Sequence, residues 1–334
     1  MTTRQVLALR PVLARRRVLA GGALLVLPVT ARAAEWPERP VRMIIPFAAG
    51  AGADIVGRSF AEELAKALGQ PVVVDNKGGA GGLLGTAEGA RAPADGYTLL
   101  LTSQGTTAWN MGMYKTPGYD PLKDLTQVSI IGALPNTLVV SATSPINSVA
   151  DLIAQAKAKP GELTYGSSGV GSSAHLSGVI FEQRTGIRLQ HVPYRAAPAA
   201  VLATLNGEVA MGFFNTPTVL PHIKSGKLRA LAVTTKDRSP LLPEVPTMMQ
   251  SGVPDFDVAV WLGFAVPAGT PAAIVTRLNA EIGRISKIPQ VKEKLLVQGF
   301  EMLPPRSPEA ARKQVEEDQA LWLPIIKQSG ATAE

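Results

Sequence analysis

VRMIIPFAAGAGADIVGRSFAEELAKALGQPVVVDN, residues 41–76, holds an apolar run, an amphipathic segment and a second apolar run. VRMII, Val41 to Ile45, reads as a buried strand. Ile55, Val56, Phe60, Leu64 and Leu68 recur at helical spacing, and Gly69 is a stop signal. PVVVDN, Pro71 to Asn76, reads as a second strand. Strand, helix and strand in that order form a parallel crossover unit, so the chain is expected to be α/β.

The same grammar continues outward. GGAGGLLGTAEGARA is a glycine-rich turn into a short helix, and GYTLLLTSQ is a third strand. The pattern then restarts. VSIIGALPNTLVVSA reads as two adjacent apolar strands. SVADLIAQAKAKPG reads as a helix with Ser148 as its N-cap. LTYGSS, LQHVPY, VAMGFFN and KLRALAVTT read as strands, with helices at SAHLSGVIFEQRTG and APAAVLATLNG. PLLPEVPTMMQSGVPDF is a proline-punctuated loop. VAVWLGFAVPAG is a strand, and the tail from Pro271 is mostly helical. Two α/β units of similar size, with crossings near Ser141 and Val258, predict a two-lobed protein with a cleft. Residues 34–140 and 258–334 form the first lobe, and residues 141–257 the second. Ligands of open α/β sheets sit beyond the carboxyl ends of the strands.

Charge narrows the partners. The 33 Lys and Arg outnumber the 26 Asp and Glu. Six of the excess, Arg4, Arg10, Arg15, Arg16, Arg17 and Arg32, lie in the first 33 residues, which hold no acid. The remainder carries no basic run, so no nucleic-acid partner is expected. Residues 1–33 read as a signal peptide: an arginine-rich start, the apolar VLAGGALLVLPV, and a small-residue site ending at Ala33. The apolar stretch is shorter than the roughly 20 residues a membrane span needs. RRRVLA resembles a twin-arginine signal in part, which leaves the export route open between that and the general secretory one. There is no cysteine, and His175, His191 and His222 form no metal-binding spacing. Neither a metal nor a cofactor is expected.

Three strand-to-helix turns carry the candidate chemistry: PFAAGAGAD (Pro46 to Asp54), GSSGVGSS (Gly166 to Ser173) and PYRAAPA (Pro193 to Ala199). The first two are small and mostly uncharged. Glycine admits close backbone approach, helix N-termini offer unpaired N–H groups, and serine adds hydroxyl donors. Together they make an anion site without a cation, and carboxylate is the obvious small anion. GVGSSA matches a dinucleotide fingerprint in part, but no acid stands about twenty residues on to meet a ribose. No G-x-S-x-G elbow occurs, and no nucleophile–base–orienter set can be named around Ser168 and His175. Asp54 reads as a turn-organising cap. Arg195 reads equally as a carboxylate clamp or a solvated rim residue.

These motifs carry a resemblance. The chain is similar to the tripartite tricarboxylate transporter receptors, the Bug-type extracytoplasmic solute-binding proteins. The similarity runs from WPERPVRMIIPF to the C-terminal helix. It includes GADIVGR, PVVVDNKGGAGGLLG, ADGYTLLL, YDPLKDLTQVSIIG, GELTYGSSGVGSSAHLSG, VPYRAAPAA, PHIKSGKLRALAVTT and WLGFAVPAGTP. The resemblance implies a type II Venus-flytrap binding protein rather than an enzyme. It would be periplasmic and monomeric, take up a small organic carboxylate and dock on membrane transporter subunits. It implies one pincer from Phe47, Ala48, Ala49, Gly50, Ala51, Gly52 and Ala53, beside Asp54. The other would come from Ser167, Ser168, Gly169, Gly171, Ser172, Ser173 and His175. Tyr194, Arg195 and Ala197 would flank the pocket, and Ser103 and Gln104 would meet the far end of the ligand. Three positions depart from the family pattern: Ala51 and Ala196 replace glycines, and Phe214 stands where many members have Asp. Phe214 either makes the far end apolar or packs in the core. The rival classes are an exported α/β hydrolase and a sensor that presents its ligand to a signalling protein.

Overall fold

Val41–Ile45 (β1) is buried at every residue but Arg42, as an inner strand of a parallel sheet should be. The computed structural model describes residues 36–330, together with Thr2 and Thr332; the expected signal peptide otherwise lies outside the described residues. Gly52–Leu68 (α1) follows β1 and turns Val56, Phe60, Leu64 and Leu68 inward. Gly69 ends α1 in the left-handed conformation, φ 67°, that a residue with a Cβ adopts only at a cost. Val72–Asn76 (β2) and Thr98–Ser103 (β3) pair in parallel with β1 on either side. Leu83–Ala90 (α2) joins them, and Asn110–Met113 (α3) follows β3.

Leu125–Ser141 (β4) is one continuous strand where the sequence suggests two. Pro135 lacks an N–H, but the strand changes partners at that point, so no ladder bond is lost. Leu125 to Pro135 pairs with Ala259–Pro267 (β9), and Asn136 to Ser141 pairs with Met211–Asn215 (β7) and Leu228–Val233 (β8), all antiparallel. β7 also pairs in parallel with Thr164–Ser167 (β5), and β5 with Gln190–Pro193 (β6). Glu301–Met302 (β10) adds a short antiparallel strand on β4. The resulting order is β2-β1-β3-β9-β4-β7-β5-β6. β4 thus runs through both halves of a two-lobed binding-protein fold.

Helices cover each half. Val149–Ala158 (α4) starts with the Ser148 side chain accepting the Asp151 N–H at 3.0 Å, the cap expected from the sequence. Ser173–Thr185 (α5), Ala197–Asn206 (α6) and Thr216–Lys224 (α7) alternate with β5, β6 and β7. Ala272–Ile285 (α8), Pro289–Val297 (α9) and Pro308–Ser329 (α10) complete the chain. One core packs α1 and α8 on β1, β3 and β9, with Phe60 tilted on Phe264 at 5.3 Å. The other joins α5, β7 and α10, where Trp322 meets Trp109 edge-on at 5.2 Å. Each buried aromatic contributes about 2–3 kcal/mol by the area it removes from water.

Candidate ligand-binding site

The carboxyl ends of β1, β3, β5 and β7 open onto one cleft of about 630 Å³. From one side come Phe47, Gly50, Ala51, Gly52 and Ala53, at the β1–α1 turn, and Ser103 at the end of β3. From the other come Ser168, Gly171, Ser172 and Ser173, at the β5–α5 turn. Asn215, Pro217 and Thr218 bring the N-terminus of α7 to the same space. Three helix N-termini therefore face one cavity, each with unpaired N–H groups and the positive end of its dipole. Among the described residues, no Lys, Arg, His, Asp or Glu lines it. The arrangement favours an anion by oriented dipoles and hydroxyls alone.

Buried side chains shape the two turns. Asp54 Oδ2 accepts the Gly50 N–H at 2.8 Å and the Arg58 Nε–H at 3.0 Å, while Oδ1 accepts from Asn76 at 2.9 Å. Burial pushes the Asp54 carboxyl up, but the bonds from Gly50, Arg58 and Asn76 outweigh it and hold the group below the usual carboxylate range. Asp54 thus organises the turn from within the first turn of α1, reaching back to Gly50, while the N-cap itself is Ala51 with no side-chain cap. In the second turn Ser172 caps α5 by accepting the His175 N–H at 3.3 Å, and its hydroxyl donates to the Gly169 carbonyl at 2.7 Å.

Other expected residues stand elsewhere. Ala48 and Ala49 are exposed on the first turn. Gln104 is buried and donates to Asp318 at 3.1 Å instead of facing the cleft. Ser167, Gly169 and His175 belong to the serine loop and the start of α5 but do not line the cleft. Tyr194 packs beside α6, Arg195 is exposed, and Ala197 begins α6 half-buried. Phe214 requires a correction. It is fully buried against Val139, Val201 and Val219 and does not reach the cleft. Strand alternation turns its neighbour Asn215 there instead. Of the two readings of Phe214, packing in the core is the one found, and an apolar far end has no basis in it. Gly81, Trp109, Asn110, Met113, Leu134, Val260 and Gln298 also line the cleft and were not anticipated. Trp109, Asn110 and Met113 follow the end of β3, so the strand-end rule that marks Ser103 also covers that segment.

The family profile described as "Tripartite tricarboxylate transporter family receptor" (TctC) matches residues 56–331. The chain belongs to that family. The tripartite tricarboxylate transporter receptors are solute-binding proteins of periplasmic type rather than enzymes. Protein BugT of Bordetella pertussis is 39% identical over 297 residues, covering 89% of this chain and 91% of BugT. The structure of Rpa4515 of R. palustris with adipate is 37% identical, with a TM-score of 0.75 over 89% of this chain and 99% of that one. MatC of Rhodopseudomonas palustris, with bound malate, is 29% identical with a TM-score of 0.72, covering 87% of this chain and 99% of MatC.

Acid should loosen this receptor. Burial lowers His175 to about 4, with the adjacent His191 adding to the effect, and burial lowers His191 to about 4 as well. Unfolded imidazoles bind protons near 6.5, so the unfolded state takes up protons first as pH falls from about 6.5 to 4. Stability held above that window is lost across it. For His175 the loss between pH 7 and 4.5 is expected to be about 2 kcal/mol in urea unfolding. His191 is more exposed and contributes less. A His175→Asn variant, whose side-chain oxygen can still accept the Gly171 N–H, should lose correspondingly less over the same range.

Proposed function

We propose that this protein is the periplasmic receptor that captures a small organic carboxylate in the cleft and delivers it to the membrane subunits of a tripartite transporter. The observation that carries the reading is the convergence of three helix N-termini and two small-residue turns on a cleft with no charged lining residue. Carboxylate oxygens match those donors, and adipate and malate in the two solved relatives are carboxylates. The turn from Phe47 to Ala53 and the loop from Ser168 to Ser173 act as opposing pincers.

The lobes comprise residues 34–140 with 258–334, and residues 141–257. β4, which changes partners between Pro135 and Asn136, and the chain entering β9 at Ala259 supply the hinge. Closure removes water from the cleft and strengthens the polar contacts to the ligand. The N-terminal 33 residues act as the export signal.

A thermal-shift screen of the exported protein against adipate, malate, tricarboxylates, amino acids and aromatic acids tests the reading. A true ligand at 100 times its Kd stabilises by about 2.7 kcal/mol, so a saturable rise in Tm with one carboxylate class is expected. No shift with any of them, from folded protein that native mass spectrometry shows to be ligand-free, would rule out carboxylate capture.

A further inference from the structure

Two imidazoles stand behind the serine loop, and neither lines the cleft. His175, on α5, and His191, on β6, stack with ring centroids 4.1 Å apart and planes 23° apart. Tyr165, paired with His191 in the β5–β6 register, stacks on His191 at 4.9 Å. Each imidazole is tied into the loop. His191 Nε2 lies 2.6 Å from Ser167 Oγ. That oxygen also accepts the Gly169 N–H at 3.1 Å and lies 3.1 Å from the Gly169 carbonyl. His175 Nδ1 accepts the Gly171 N–H at 3.1 Å. A second cavity of about 600 Å³ opens on Tyr165, both histidines, Glu182 and Arg188, and shares no lining residue with the cleft.

The loop needs such ties. Gly169 and Gly171 have φ of +116° and +78°, so the backbone itself has little preference for this one path. Two of its amides are fixed by side chains that reach in from behind, Ser167 and His175. Among the described residues, His191 is the one side chain hydrogen-bonded to Ser167 Oγ. An imidazolium at His175 would set a donor against the Gly171 N–H, so the geometry also requires a neutral ring there.

We propose that His191 is a positioning residue for ligand capture, holding the Gly169–Ser173 backbone in its ligand-accepting path through Ser167. His175 secures the same loop at Gly171. The consequence for ligand affinity rests on the carboxylate reading above; the consequence for the loop does not.

Amide exchange at Gly169 and Gly171, read by NMR in the unliganded full chain, reports on the loop directly. Calorimetry with adipate reports the consequence for binding. His191→Phe keeps a ring for both stacking partners and removes the nitrogen. Exchange at the two amides should rise at least tenfold, exchange in β1 and β3 should be unchanged, and adipate should bind at least fivefold more weakly. Ser167→Ala should act alike, and the double variant should be no worse than either single, because all three break one link. His191→Gln, whose amide reaches the position of Nε2, should restore most of both signals, which a space-filling role would not allow. Unchanged loop exchange in His191→Phe, or effects of the two single variants that multiply, would overturn the proposal. Should His191→Phe not fold, Ser167→Ala against His191→Gln makes the same comparison. If the wild type leaves adipate unbound, calorimetry is repeated with the carboxylate the thermal-shift screen finds, and the exchange data still decide the role of His191.

Discussion

Alanine at Gly171 is expected to weaken ligand binding by at least tenfold while the protein remains folded. Gly171 lines the cleft with φ at +78°, where an L-residue pays roughly 1–2 kcal/mol. Its N–H is bound to His175 Nδ1, so the loop cannot simply rotate to a relaxed conformation without losing that bond. A Cβ added there would lie 2.2 Å from Met113 Sδ and 3.1 Å from its Cε. Met113 is flexible, but it is 7% exposed and belongs to the core that holds Trp109 and Trp322, so its room to withdraw is small. The unliganded loop can relieve the strain by opening. The ligand must then close it again, and its apparent affinity falls by the fraction of molecules already closed. Adding the two costs gives about 2–3 kcal/mol, or roughly thirtyfold to a hundred-and-fiftyfold in Kd. Calorimetry with the ligand found by the screen measures it, with Tm of the unliganded variant as the folding control. A Kd within a factor of two of wild type would show that the loop does not need its left-handed turn.

The first crossover unit and the start of α4 were legible because their signals are local. The period of α1, the stop at Gly69 and the Ser148 cap each lie within a few residues of what they control. The single strand β4 was not legible. Pro135 and Asn136 break its apolar run, and only the partners that arrive from β7, β8 and β9 show that the ladder carries on through them. The site divides the same way. The small-residue turns at strand ends that meet at the cleft were readable from their glycines and serines. Which of two neighbours faces the cleft was not, because strand parity is set by tertiary register. Asn215 rather than Phe214, and Ser103 rather than Gln104, line the cavity. Gln298 reaches the same space from the C-terminal cap of the distant helix α9, and no local pattern marks it. The family resemblance transfers positions, not packing, so it left Phe214 open between cleft and core, and only the tertiary contacts with Val139, Val201 and Val219 place it in the core.

Gln104 points to the second large effect, because its partner Asp318 is a buried hub. Asp318 is 4% exposed on α10, and its Oδ1 accepts from Gln104 and from Gln314, each at 3.1 Å. Its Oδ2 accepts the Trp261 indole N–H at 2.6 Å. The carboxylate thus ties the C-terminal helix to the end of β3 and to β9, the strand that lies between β3 and the first part of β4. Alanine would leave three donors without a partner, two of them on the buried Gln104 and Trp261, at about 1–3 kcal/mol each. Part of that is offset, because burial already disfavours the charge and pushes the Asp318 carboxyl up against the bonds it accepts. A net loss of about 3 kcal/mol in unfolding free energy is therefore expected for Asp318→Ala. Asparagine should cost only about 1 kcal/mol. Its oxygen can keep the indole bond, and its amide can meet Gln104 turned end for end, since Gln104 Oε1 has no partner at present. Gln314 cannot turn as freely, because its Oε1 already accepts from Arg306 at 2.6 Å. Urea denaturation of both variants at pH 7, with unchanged m-values, measures the difference. Near-equal losses for alanine and asparagine would mean that the charge itself holds the junction. A loss below about 1 kcal/mol for alanine would mean that water replaces the carboxylate in the small cavity beside it.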